Sequence, residues 1–393
     1  MMHKTVAGYL PLDWEGKLLK NVSNIVRGGS PRPAGSPLYF NGDYLPWTTV
    51  ADITSNIEMY LTATKTMLTE EGSKRTRISE PGTLMLTNSG ATLGVPKITK
   101  IRCGANDGIA MFLNLKGLAK EFAYYFLCSK TVYMREVIAP GVGQPNLNTE
   151  LIGDIAIPLP PMLEQHKIAQ TLSTWDKAIS ATERLIDNSK HQKKALMQQL
   201  LTGKKRLLDN SGKPFESEWK RVELGKLLDY KQPTPYLVKS TEYSNEYPTP
   251  VLTAGKTFIL GYSNEDFGIF SEELPAIIFD DFTTASKFVD FPFKAKSSAM
   301  KILVAKDGVS IKYIYEAMQV LNYPVGGHQR HWISIFANLV IGLPSPEEQQ
   351  KIATVLTNAD KEVELLEQQL TDLMQEKKAL MQQLLTGKRR VIV

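Results

Sequence analysis

The chain has 393 residues, 42% hydrophobic and 22% charged, an ordinary globular composition with material for more than one core. A net charge of +5 permits a nucleic-acid partner without demanding one, and two cysteines, Cys103 and Cys128, exclude a disulfide framework and fit a reducing compartment. No apolar leader follows Met1-Met2-His3-Lys4, and no stretch approaches a membrane span, so a soluble, cytoplasmic protein with no membrane partner is expected.

Residues 1–158 read as a first mixed α/β segment. Short apolar runs are broken by Gly, Pro, Asn and Ser, as in VRGGSPRPAGSP (Val26 to Pro37) and TLMLTNSGATLG (Thr83 to Gly94). One helix is expected over Ala119 to Met134. Basic residues gather at Lys74, Arg75 and Arg77 and again at Lys97, Lys100 and Arg102, as solvated surface or as phosphate contacts. Arg27, Arg32 and Asn88, in the two Gly-rich runs, join Lys74, Arg75 and Arg77 as candidates. The amide-rich GQPNLN (Gly143 to Asn148) serves equally as a hydrogen-bonded turn or as a loop presenting Gln144 and Asn146 to base edges.

Residues 159–203 are predicted to form a long helix, and its sequence returns. ALMQQLLTG at Ala195 to Gly203 recurs at Ala379 to Gly387, an offset of 184 residues that holds back through EQ-x-KIA at Glu164 and Glu348. Alternate steps of four and three give Ile168, Leu172, Trp175, Ile179, Thr182, Ile186, Ser189, Lys193, Leu196 and Leu200 in the first copy. The second copy, residues 343–387, gives Ile352, Leu356, Ala359, Val363, Leu366, Leu370, Leu373, Lys377, Leu380 and Leu384. A 3.5-residue apolar period this long marks a coiled-coil seam, and about 40 residues at about 1.5 Å each make a rod of about 60 Å. An antiparallel pairing of the two rods costs least in loop closure. The expected fold is therefore α/β: two globular segments, two long antiparallel coiled-coil helices and an approximate internal twofold.

Between the helices, residues 204–218 read as a polar linker and residues 219–342 as a second α/β segment. GKKR after the first helix, and GKRR leading into the basic tail 388–393, place cations at the negative end of a helix dipole, an explanation preferred to phosphate contact. In the second segment Lys287, Lys294, Lys296 and Lys301 interleave with Phe282, Phe288, Phe291 and Phe293. That pattern suits a surface following phosphates, and equally strands that bury Phe. Gln232, Lys256, Thr283 and Thr284 are further candidates, as are His328, Gln329 and Arg330 in the loop GGHQRHW (Gly326 to Trp332).

Catalytic signatures are weak. PVLTAGKT (Pro250 to Thr257) has proline where a phosphate-binding loop needs its first glycine. Asp280-Asp281 with Lys287 is a poor nuclease centre, and His328-x-x-His331 lacks companions at metal-ligand spacing. No catalytic residue, metal site or cofactor is expected on this chain.

Two unlike α/β segments, each followed by a helix opening on EQ-x-KIA and closing on LMQQLLTGK, resemble the specificity subunit of type I restriction–modification systems. TAGKTFILGY and IIFDDFTTASKFVDFPFKAKSSA in the second segment also resemble recognition domains of that family. The resemblance implies two target recognition domains, each reading half of a split, asymmetric sequence in double-stranded DNA. It implies helices that set the separation and dock two modification subunits, which hold S-adenosylmethionine and methylate adenine, with restriction subunits that use ATP joining them. A type IIB-like partner that fuses methylation and cleavage is the alternative.

Overall fold

The computed structural model describes residues 1–139, 146–253, 255, 257–321 and 331–392. It divides into two compact units, Met1–Glu183 with Gln368–Val393, and Arg184–Glu367. Among the described residues four helices exceed two turns: α1 (Lys120–Tyr133), α2 (Met162–Leu200), α3 (Ile311–Gln319) and α4 (Pro346–Leu384). None of them is long and apolar enough to cross a membrane. α2 and α4 both have 39 residues, and their bounds differ by the offset of the sequence repeat.

In unit 1 a five-stranded sheet runs in the order Asn24–Arg27, Ile109–Leu113, Leu84–Thr87, Pro96–Thr99, Tyr60–Leu61. A four-stranded sheet runs Thr66–Leu68, Phe40–Thr48, Cys103–Ala105, Arg77–Ser79. Side chains alternate across a strand, so Leu84, Leu86, Ala110 and Phe112 enter one core cluster. Met85, Ile109 and Met111 enter another, with Cys103 and Ala105 of the second sheet. Burial on both faces is why TLMLT carries no alternation with polar residues. α1 covers the first face with Phe122, Ala123, Tyr125 and Phe126. It begins one residue later than predicted and passes into a π-helical turn, Met134–Ile138.

Unit 2 repeats this plan. Its sheet runs Leu228–Lys231, Met300–Ala305, Ala276–Asp280, Ser286–Val289, with every neighbour antiparallel. The strand Thr249–Leu252 lies antiparallel to Ile259–Ser263 and parallel to Lys294–Ala295, as Phe40–Thr48 does to Thr66–Leu68 and Cys103–Ala105. A two-stranded ribbon precedes each long helix: Glu15–Leu18 with Ala156–Leu159, and Lys220–Glu223 with Val340–Leu343. Among the described residues the segments that differ in sequence share one strand order, to which unit 1 adds the edge strands Tyr60–Leu61 and Arg77–Ser79.

Within each unit the two long helices run antiparallel. In unit 1, Ile168 and Leu172 of α2 share a core with Leu384 and Leu385, and Lys377 pairs with Asp176. In unit 2, Lys193 pairs with Asp360, Lys190 with Glu367 at 2.7 Å, and the Ser189 hydroxyl bonds Glu362. Ile168, Leu172, Ile179, Ile186, Leu200, Ile352, Leu356 and Leu384 are buried. Trp175, Leu196, Val363, Leu366, Leu370, Leu373 and Leu380 are partly buried. The seam lysines now have a cause: each reaches an aspartate on the opposite helix.

The EQ-x-KIA motif anchors each helix. The Gln165 side chain accepts the N–H of Ala119, the N-cap of α1, at 2.8 Å and donates to the Pro160 carbonyl. Gln349 does the same for Ser310, the N-cap of α3, and the Pro344 carbonyl. The glutamates are buried: Glu164 accepts the Trp14 indole at 2.9 Å, and Glu348 accepts that of Trp219 at 3.1 Å. Arg390 bonds both oxygens of Glu164, at 2.6 and 2.7 Å, and Arg206 bonds both of Glu348, at 2.7 and 2.8 Å. The final arginines of GKRR and GKKR are therefore ligands of a buried carboxylate, not the helix-dipole cations expected from their position. Hydrogen bonds to Glu164 and then Asp13 raise the Arg390 pKa, and Arg390 holds the Asp13 carboxyl below its usual range.

Removing one partner of a buried ion pair strands the other charge. Arg206→Ala is expected to lower the stability of unit 2 by about 3 kcal/mol, read as a shift in its urea-unfolding midpoint. Lys205→Ala, at an exposed neighbouring position, is expected to stay within about 0.5 kcal/mol.

Candidate nucleic-acid interface

In unit 1 the candidates from distant parts of the sequence meet beyond the ends of the sheet strands. Arg27 closes its strand, and Gly28 lies so close to the next turn that a Cβ there would stand 2.1 Å from the Asn106 carbonyl. The Thr76 hydroxyl donates to the Gly29 carbonyl at 2.7 Å, tying the Lys74–Arg77 segment to the Arg27–Arg32 loop. Asp107 organises the same loop: it accepts Ser30 at 2.7 Å and Arg32 at 3.4 Å, and its carbonyl accepts Arg27. Arg27, Ser89, Asn106, Asp107 and Asn146 line one cleft of about 320 Å³. Arg75 and Arg77 are exposed, and exposed Lys74 pairs with Glu71 at 3.2 Å.

Asn88 does not belong to this surface. It is 1% exposed, its backbone N–H and carbonyl bond Gly108 and Leu147, and its side-chain amide is buried without a hydrogen-bond partner among the described residues, so it is not displayed to a base edge. Lys97, read from sequence as part of a surface cluster, is also buried, and its ammonium bonds Asn56 at 2.6 Å. Burial lowers its pKa. Gln144 lies outside the described residues.

In unit 2, Gln232 is exposed directly after the strand Leu228–Lys231, the counterpart of the strand that Arg27 ends. Thr283 and Lys287 are exposed on the hairpin Ala276–Val289, where Thr283, Thr284, Ser286 and Gln319 line a cleft of about 260 Å³. Thr284 itself is buried, with φ +62° and its hydroxyl on the Thr283 carbonyl, so it shapes the turn and is not displayed. Lys294 is a second correction: it is wholly buried, bonded to the Phe267 and Gly268 carbonyls and paired with Glu265 at 3.1 Å. Burial pushes the Glu265 carboxyl up, but the N–H groups of Ser240 and Lys239 and the Lys294 ammonium hold it below its usual range. Lys301 is likewise buried, on the Tyr230 hydroxyl at 2.9 Å and 3.5 Å from Asp281. Lys296 is half-buried and donates to the Tyr243 hydroxyl at 2.9 Å. Lys256, His328, Gln329 and Arg330 lie outside the described residues, as does the side chain of His331.

Sequence reasoning missed Ser30, Ser89, Asn106 and Asp107. The only available signal for the last two was the pair Asn-Asp before Gly108, a turn signature that carries no function by itself. Asp280 and Asp281 are committed to structure: Asp280 accepts the N–H groups of Phe282 and Thr283, and Asp281 that of Trp332. Among the described residues no group of His, Cys, Asp and Glu is placed to hold a metal ion.

Comparison with known proteins matches residues 11–189 and 216–375 to the type I restriction modification DNA specificity domain. The specificity subunit of the Escherichia coli type I restriction enzyme EcoR124I/EcoR124II is 50% identical over 141 residues, 35% of this chain and 34% of that one. The MjaIX specificity subunit of Methanocaldococcus jannaschii is 31% identical over 49% of this chain and 43% of its own length. The chain thus spans less than half the length of these two relatives. The putative MjaX specificity subunit of the same organism is 26% identical over 99% of this chain and 96% of its own. Among solved structures, the type I S subunit from M. genitalium superposes with a TM-score of 0.61 at 16% identity, covering 95% of this chain and 96% of that one, a likeness of fold. With the family domain matched in both halves over most of its length, the chain belongs to the type I restriction–modification specificity subunits.

Proposed function

We propose that this chain is the DNA-reading subunit of a type I restriction–modification complex, with each unit reading one half of a split, asymmetric target. Specificity subunits of these systems are non-catalytic DNA-recognition subunits. The observation that carries the reading is one strand order built twice with different surfaces. Arg27, Arg32, Arg75, Arg77 and Asn146 are displayed by one unit, and Gln232, Thr283 and Lys287 by the other. Like frames with unlike contact groups suit two unlike half-sites. Phosphate contacts by Lys and Arg supply affinity, and a few amide, hydroxyl or guanidinium contacts to base edges supply choice.

In this reading the helices α2 and α4, paired antiparallel, are the spacer between the two readers and dock two modification subunits. Those subunits carry S-adenosylmethionine and methylate adenine, and ATP-using restriction subunits join through them. The type I names of the relatives support this assembly over a type IIB-like partner, and one of the similar structures is described as the basis of complex assembly in a type I system.

Genome-wide mapping of methylated adenines, in cells carrying the chain with its modification partner, tests the reading. Exchanging residues 219–342 for another recognition domain is expected to change one half-site only; a change in both would refute modular reading. Inserting one heptad in both long helices adds about 10 Å and is expected to lengthen the unread gap by about three base pairs, at about 3.4 Å each, with the bases unchanged. In binding titrations, Lys287→Ala should reduce the slope of log affinity against log salt by about 1 with no loss of stability. Lys294→Ala should lower the melting temperature, since it leaves Glu265 without its buried partner.

A further inference from the structure

We propose that Phe282 reads an apolar base edge, the 5-methyl group of a thymine, within the half-site of unit 2. The proposal deepens the DNA-reading role above and rests on it. The strands Ala276–Asp280 and Ser286–Val289 are joined by five residues, Asp281 to Ala285, and every part of that turn is fixed. One Asp280 carboxylate oxygen accepts the N–H groups of Phe282 at 2.9 Å and Thr283 at 3.3 Å. The Asp280 carbonyl accepts Thr284, and the Asp280 N–H donates to Ala285 at 2.8 Å. Thr284 holds the left-handed φ that closes the turn. Asp281 is tied to the Trp332 N–H at 2.9 Å and to Lys301.

On this rigid turn the Phe282 side chain stands out, 51% exposed, while Phe279 and Phe293 of the same unit are fully buried. Among the described residues no aromatic ring or cation stacks on it. Hydrogen bonds hold the backbone of the turn, and the ring at its tip stands in water, apolar surface for a partner to cover. Its neighbours specify that partner. Thr283 offers a hydroxyl and Lys287 an ammonium at exposed positions, and both turn carboxylates face inward, 9% and 2% exposed. A hydroxyl, a cation and one apolar probe, with no anion, match a surface of phosphates and polar base edges that carries a single apolar group. In the major groove that group is the thymine methyl. The corresponding turn of unit 1, after Leu84–Thr87, exposes Ala91 and Thr92 and no aromatic, so the contact belongs to one half-site.

The test uses the full chain in complex with its modification subunit, on synthetic duplexes carrying the methylation-mapped target. Each thymine of the unit 2 half-site is replaced in turn by uracil, which removes only the methyl. One position is expected to weaken wild-type binding about fourfold, the worth of one buried methyl. Phe282→Ala is expected to bind thymine and uracil duplexes alike, and Phe282→Leu to retain the preference. Methylation of the unit 1 half-site should keep its sequence in both variants. Discrimination that survives Phe282→Ala, a half-site without thymine, or no sensitive position in a complex that still prefers its target overturns the proposal and leaves the DNA-reading role standing. A wild-type complex that binds scrambled DNA as well as its target removes both.

Discussion

A carboxylate taken out of water has to meet opposite charge and donors, and Glu164 and Glu348 meet theirs from parts of the chain far away in sequence. Each draws to one point the start of a long helix, a tryptophan at the head of the preceding globular segment, and an arginine from just beyond the other long helix. That arginine can arrive only if the second helix ends where the first begins. Antiparallel pairing inside each unit is thus written into an electrostatic requirement as well as into the apolar seam, and a parallel arrangement would leave both charges buried and alone.

The seam lysines extend the same logic. An all-apolar seam tolerates slips by a heptad, whereas Lys193 and Lys377 each find one aspartate, Asp360 and Asp176, at one register. Asp176 also accepts the Tyr125 hydroxyl of α1, and Asp360 also holds Lys312 of α3. The register of the helices and the docking of each globular sheet are therefore set by the same two aspartates. The pairs are reciprocal because Lys193 and Lys377, and Asp176 and Asp360, are equivalent positions of the 184-residue repeat.

The globular frames divide differently. Strand order and ribbon placement are held in common, while the residues at the strand ends and turns have diverged. Lys294, Lys301 and Lys97 show how a basic residue leaves the surface: each ammonium finds carbonyls, a hydroxyl or a carboxylate within its own unit. What remains displayed is small, and it differs between the units. That division, a shared frame carrying unlike tips, lets two units of one build present different contact groups.

The sequence by itself determined the long helices, their seam and the repeat, because a 3.5-residue period and a 184-residue offset are properties of order along one chain. It could not say that the two unlike segments share a strand order, since strand pairing joins residues tens of positions apart and leaves no local mark. Nor could it separate Phe282 from Phe279, or Lys287 from Lys294, which stand in the same short runs with the same chemistry. Which of them faces water depends on where Asp280 bends the hairpin and on which carbonyls lie beneath a given ammonium. Those are facts of three-dimensional neighbourhood, and only the tertiary structure decides them.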